Sequence, residues 1–178
     1  MAVEAAAVGY ATEEEAAEAF DRTVVEHLLG MFSLYREVPG TLIQPRAGQV
    51  DKGVRIDRVL MPRRSAAVAG WTLGAVGVEV KRSGAELGLW LAQSMDYMRS
   101  TWTVQGISVQ LGAVFLWPCE KQHGPIASVM SHNRVGSAST SEWVPMYLQM
   151  GEETVLRVDR NGSLTFGTIR SGMKVGSR

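Results

Sequence analysis

Cysteine occurs once, at Cys119, so the chain has neither an internal disulfide nor a cysteine-built zinc site, and the residue is expected to be structural. Histidine is nearly as scarce. His27, His123 and His132 lack the spacing of a zinc site, which leaves them as surface or packing residues. No Gly-x-Ser-x-Gly elbow is present, which argues against a serine-type small-molecule hydrolase. The glycine- and serine-bearing stretch from Val135 to Ser141 reads as a flexible loop, and no phosphate-loop lysine follows it. Long apolar runs are also missing, because Arg, Gln or Gly interrupts each candidate before it could span a bilayer. The alanine-rich start carries Glu4 and no basic cluster, unlike a signal or transit peptide. A soluble, cytoplasmic protein is expected.

What the chain does have is size and apolar content. Its 178 residues, 46% of them hydrophobic, suffice for one domain over 1–178 with its own core, and its formal net charge is zero. That balance conceals an asymmetry. Between Glu4 and Glu26 stand seven acidic residues against the single base Arg22. Basic residues gather instead from Arg46 to Arg82 and again from Arg157 to Arg178, a split compatible with one basic face toward nucleic acid. Arg55, Arg58, Arg63, Arg64 and Arg82 are the candidate DNA contacts, with Arg63 and Arg64 favoured for phosphate. Among the tryptophans, Trp71, Trp90, Trp102, Trp117 and Trp143, any could stack a base, although Trp90 and Trp117 suit a core better.

Thr12 followed by Glu15 forms a capping-box pattern, and Ala16, Ala19, Phe20, Val24 and Leu28 recur at helical spacing up to Gly30. A loop with Pro39, Gly40, Pro45 and Gly48 is expected next. The β-branched run Val54 to Leu60, stopped by Pro62, reads as a strand, Arg63 to Ser65 as a turn, and Trp71 to Lys81 as a second strand pairing with the first. Leu87, Trp90, Leu91, Met95 and Met98 place a helix over 85–101, and Ile107 to Trp117 is a buried strand ended by Pro118. A short helix over 125–133 starts at Pro125. Asn161-Gly162 between Val155–Val158 and Leu164–Ile169 marks a β-hairpin. The order describes an α/β or α+β domain with a central mixed sheet.

Asp57 is an acid in an otherwise apolar strand, where an unpaired carboxylate is costly. Glu79 and Lys81, two apart in a strand, point to one face while Val78 and Val80 point to the other. Were the two strands neighbours, Asp57 and Glu79 could together hold Mg²⁺, a hard cation satisfied by a few carboxylate oxygens and water. Lys81 would then orient or deprotonate the attacking water and stabilise charge on a phosphate. Gln93 and Tyr97, four apart on the next helix, share a face and can meet that site. Glu26 is the candidate carboxylate from the first helix, with Glu18 and Asp21 as rivals. The null alternative is an ordinary ion pair between Glu79 and Lys81, with Asp57 bound to Arg55 or Arg58.

These residues, spanning roughly Glu14 to Trp117, resemble the PD-(D/E)xK nuclease superfamily, and the Gln-x-x-x-Tyr element resembles that of its RecB-like and lambda-exonuclease-like branch. Ile56 stands where the motif's name has proline, which does no chemistry. The resemblance implies a restriction-endonuclease-like core, a central mixed β-sheet flanked by helices over about 13–118, with an extension over 119–178 that carries the C-terminal β-hairpin. It implies Asp57, Glu79, Val80 and Glu26 at a Mg²⁺ site that Mn²⁺ can also fill, Lys81 as the catalytic lysine, and Gln93 and Tyr97 in support. The expected activity is Mg²⁺-dependent hydrolysis of DNA, duplex, single-stranded or branched, in recombination, repair or phage DNA processing, by a monomer or a homodimer. The contrasting readings are a catalytically inert DNA-binding module on the same fold and a Holliday-junction resolvase.

Overall fold

The computed structural model describes residues 9–43 and 53–167. The chain runs through α1 (Glu13–His27), β1 (Phe32–Leu42), β2 (Gly53–Pro62), α2 (Arg64–Val68), β3 (Val76–Val80) and α3 (Leu87–Met98). It continues with β4 (Ser100–Val104), β5 (Ile107–Val109), β6 (Ala113–Trp117), α4 (Gly124–His132), β7 (Val135–Ser139), β8 (Met146–Met150), β9 (Glu153–Val158) and β10 (Leu164–Phe166). The ten strands among the described residues join one mixed sheet in the order β10-β9-β8-β7-β6-β3-β2-β1-β4-β5. The centre is parallel, β3 to β6 and β6 to β7, and both wings are antiparallel. None of the described helices is long and apolar enough to cross a membrane.

Helix α1 begins where the sequence signals it. Thr12 Oγ1 accepts from the Glu15 N–H while the Glu15 carboxylate accepts from the Thr12 N–H, so two otherwise orphaned donors are satisfied. Its inner stripe, Ala16, Phe20, Val24 and Leu28, is buried against Val76, Val78 and Val80 of β3 and Phe115 and Trp117 of β6. The Trp117 indole N–H donates to the Ala16 carbonyl at 2.8 Å, which pins the first turn of the helix to the central strand. On the opposite face, Trp90 of α3 and Met130 of α4 pack with Leu116 and Val135, while Tyr97 packs with Trp102, Ile56, Val59 and Val114. The sheet thus separates two apolar layers.

Several expectations change on folding. The loop expected around Pro39 and Gly40 is part of the long strand β1, and Pro45 and Gly48 lie outside the described residues. The strand tolerates both residues for local reasons. Glu37 already departs from extended backbone at φ 49°, and at Gly40 a Cβ would run into the Trp102 ring and the Thr101 carbonyl. The helix expected to reach Thr101 stops at Met98 because Ser100–Val104 turns back as β4 to pair with β1. The expected strand over 107–117 is two strands belonging to different parts of the sheet, β5 at its edge and β6 at its centre. The expected turn over 63–65 runs into the short helix α2.

The largest difference lies at 135–141. Val135–Ser139 is a fully buried strand between β6 and β8, not a flexible loop. Its small residues are there for packing, since a Cβ on Gly136 would collide with the Gln149 carbonyl oxygen and the Phe115 ring. Gly136→Ala should therefore destabilise the protein by about 1–3 kcal/mol, the usual range for overpacking a core. Urea denaturation checks this, and a change within about 0.5 kcal/mol, typical of an unconstrained surface position, would contradict the packing.

Candidate functional site

Strands β2 and β3 pair through Arg58↔Val78, Val59↔Gly77 and Leu60↔Val76, and the ladder ends there. Two residues further along β3, the Val80 N–H donates not to a main-chain carbonyl of β2 but to Asp57 Oδ2, at 2.7 Å. The Asp57 side chain therefore takes over the strand's hydrogen bonding where β2 and β3 part. Val80 itself is buried with the α1 side of the core. Glu79 lies on the other face, 1% exposed, and Lys81 follows it on the same side, its Nζ 2.7 Å from Glu79 Oε1. The expected period-two partition of Val78 and Val80 from Glu79 and Lys81 is what the strand displays.

Helix α3 delivers its pair to the same place. Gln93 Nε2 donates to the Tyr97 hydroxyl, and that hydroxyl donates to the Arg55 carbonyl at 2.9 Å, tying the helix to the start of β2. Burial, and behind it the charges of Glu79 and Asp57, hold the Tyr97 phenol above its ordinary range. Asp57, Glu79, Lys81, Gln93 and Tyr97 thus come together in space from three elements.

The electrostatics of the cluster are unbalanced. Burial, reinforced by the charge of Asp57, pushes the Glu79 carboxyl up to about 7, against the opposing pull of Lys81. Burial alone would lower the Lys81 ammonium, but Glu79, Glu13 and Asp57 outweigh it and hold it above its ordinary value. Glu79 Oε2 is fully buried and has no hydrogen-bond partner among the described residues. An orphaned carboxylate oxygen beside a second carboxylate is costly unless a proton or a cation joins it.

Other expected residues fall elsewhere. Glu26 is on an outer face near the end of α1, 62% exposed and 3.5 Å from His27. The first-helix acid beside the cluster is Glu13, whose Oε1 is 3.9 Å from Lys81 Nζ. The thirteen-residue offset is about 20 Å along a helix, so Glu26 cannot share the position. Which end of α1 overlies the carboxylates is decided by its tertiary docking, through Trp117 and Ala16, and nothing local in the sequence encodes it. Glu18 is exposed, and Asp21 is committed to Arg58 and Arg36.

The arginine set divides as well. Arg58 is buried, its Nε 2.6 Å from Asp21 Oδ1, because its position in β2 faces α1. It holds helix to sheet and is not a surface cation for DNA. Arg55 is 70% exposed and pairs with Glu37 at 2.9 Å. Arg63 and Arg64 are exposed but follow the far end of β2, about 20 Å along the strand from Asp57. Arg82, next to Lys81, is exposed beside the cluster. Cys119 is buried and its thiol is pushed up by that burial, as befits a structural residue. No family model, curated protein or solved structure matches the chain.

Because the folded Glu79 carboxyl titrates above an unfolded one, the native state holds the extra proton between about pH 4.5 and 7. Stability from this group is full below the lower value and is lost as pH rises through the upper one. Glu79→Gln, which mimics the protonated form, should flatten that slope when unfolding is followed by urea titration across the window in EDTA. The wild-type decline is expected to be a few kcal/mol at most. Identical slopes in both proteins would show that Glu79 is not the titrating group.

Proposed function

We propose that the protein is a metal-dependent nuclease that hydrolyses DNA phosphodiester bonds at the Asp57, Glu79 and Lys81 cluster, in the manner of the PD-(D/E)xK superfamily. The observation that carries this reading is the buried, unpartnered Oε2 of Glu79, set beside Asp57 where β2 and β3 diverge. Among the described residues no three His, Cys, Asp or Glu side chains converge as a ready metal cage. Two carboxylates fit Mg²⁺ nonetheless, since this ion keeps several waters and is commonly held by one or two carboxylates together with substrate phosphate. Asp57 and Glu79 would hold it, with a main-chain atom of Val80 as the remaining protein donor. When bound, Mg²⁺ supplies charge stabilisation at the scissile phosphate and acidifies a water.

The remaining work falls to the chain's own side chains. Lys81, kept protonated by its acidic neighbours, is suited to donate to a phosphate oxygen or to orient water rather than to remove a proton. Gln93 and Tyr97 brace α3 against β2 and keep the polar wall of the site in place. Arg82, adjacent to Lys81 in sequence and exposed, offers a positive charge for backbone phosphate. The contact between Lys81 and Glu79 also suits the alternative of an inert DNA-binding module in which the cluster is a structural ion pair.

Incubation with linear duplex, single-stranded and four-way DNA in Mg²⁺, Mn²⁺ and EDTA separates the two. Cleavage is expected in either metal and none in EDTA, with a loss of about a hundredfold or more in Lys81→Ala. Ca²⁺ titration should lose its site in Glu79→Ala. Cleavage that survives EDTA or Lys81→Ala would overturn the mechanism, and DNA binding without any cleavage would favour the inert module.

A further inference from the structure

Strands β3, β6 and β7 are parallel, so their carboxyl ends open on one edge of the sheet, the edge that carries Lys81. Crevices at such strand ends are favoured binding places in open α/β sheets. A cleft of about 320 Å³ lies there, lined by Ser83 and Gly84 after β3, Cys119 and Glu120 after β6, and Ser139 and Thr140 at the end of β7. Ser139 is 7% exposed, and its Oγ has no hydrogen-bond partner among the described residues. A buried hydroxyl left unpaired beside a cleft is a donor and acceptor waiting for a polar ligand.

The same edge continues past the cleft. The β7–β8 connection carries Trp143, 66% exposed, and the turn between β9 and β10 brings the Arg160 guanidinium to 5.2 Å from its ring centroid. Every other tryptophan is buried. An indole open to solvent with a guanidinium over it is a stacking platform for a base. Between Lys81 on β3 and the connection to β8 the sheet order interposes β6 and β7, an offset of about 14 Å at normal strand spacing. A nucleic-acid strand covers that distance in roughly two to four nucleotides, given about 3.4 Å per nucleotide when stacked and more when extended.

We propose that this edge binds a short run of single-stranded DNA, one unpaired base stacked on the Trp143 and Arg160 platform and the sugar–phosphate chain lying in the cleft past Ser139 toward Asp57, Glu79 and Lys81. Only an unpaired base can present its face to an indole fixed at the protein surface, and the cleft is of single-nucleotide size. A duplex would have its bases stacked on one another and unavailable. The proposal rests on the nuclease reading for the end of the track that is cut, and on the cleft and the platform for binding.

Fluorescence anisotropy in EDTA, with labelled decathymidine, trithymidine and a blunt duplex of the same length as the longer strand, tests binding without cleavage. Trp143→Ala should weaken decathymidine about tenfold and leave the duplex unchanged, while Trp143→Phe keeps most of the affinity. Ser139→Ala should weaken decathymidine about threefold with an unaltered or higher melting temperature, since a merely unsatisfied hydroxyl would be removed without loss of binding. Trithymidine, long enough to reach both the cleft and the platform, should bind and lose affinity in Trp143→Ala as decathymidine does. Equal affinity of wild type and Trp143→Ala for decathymidine, or an equal loss on the duplex, would overturn the proposal. Mg²⁺-dependent cleavage indifferent to Trp143 would overturn it while leaving the nuclease reading intact, whereas these binding effects without cleavage would do the reverse.

Discussion

A carboxylate buried beside a second one is repelled by it and loses the water that would stabilise its own charge, as Glu79 does beside Asp57. Here the repulsion is built into the sheet. The β2–β3 ladder stops at Arg58↔Val78, and Asp57 spends one oxygen on the Val80 N–H in place of a main-chain acceptor. That bond fixes where β2 leaves β3, and with it the position of Asp57 against Glu79. Lys81 relieves only one oxygen of Glu79 and leaves the other buried and unmatched. A proton or a cation on that oxygen would remove the mismatch, and the proposed metal site rests on this point.

Much of the surrounding fold serves to hold that arrangement against its own cost. The buried Arg58 and Asp21 pair anchors α1 to β2, and the Trp117 indole anchors the first turn of α1 to β6. Between them they place the amino end of the helix, with Glu13, over Lys81. Glu13 in the acidic first turn, with Glu79 and Asp57, keeps Lys81 charged. On the other face, the Tyr97 hydroxyl locks α3 to the Arg55 carbonyl, so the wall opposite α1 is fixed as well. Preorganisation of this kind is what polar sites require if their groups are not to relax toward one another.

Local signals carried much of this into the sequence. Thr12 with Glu15, the β-branched run before Pro62, the apolar spacing of Leu87 to Met98 and Asn161-Gly162 each encode an element through nearest-neighbour physics, and each forms close to where it is expected. The clustering of Asp57, Glu79, Lys81, Gln93 and Tyr97 was legible for the same reason, since spacings of two and four determine shared faces once the strands are adjacent. What failed to show was tertiary. Gly136, Ser137 and Ser139 look like a loop by composition, and only the proximity of Phe115 and Gln149 explains a glycine at 136 in a buried strand. Pro39 and Gly40 look like a break until β1 pairs with β2 and Trp102 packs on Gly40. Arg58 looks like a surface cation until α1 brings Asp21, and the choice of Glu13 over Glu26 depends on which end of that helix is docked.

The charge distribution then constrains what kind of nucleic acid such a molecule can hold. Of the arginines grouped between Arg46 and Arg82, Arg55 and Arg58 are matched by Glu37 and Asp21, and Arg63 and Arg64 lie at the far end of β2. Arg82, which follows Lys81 in sequence, is exposed, and past the cleft Arg160 is exposed over the Trp143 ring. Duplex binding draws its affinity chiefly from neutralising many phosphates, and the formal net charge of this chain is zero. Stacking on an exposed indole needs no net charge and is open only to unpaired bases. On the proposed reading, an edge with an open aromatic face suits a single strand, whose path would run past the orphaned Ser139 hydroxyl toward the orphaned Glu79 oxygen.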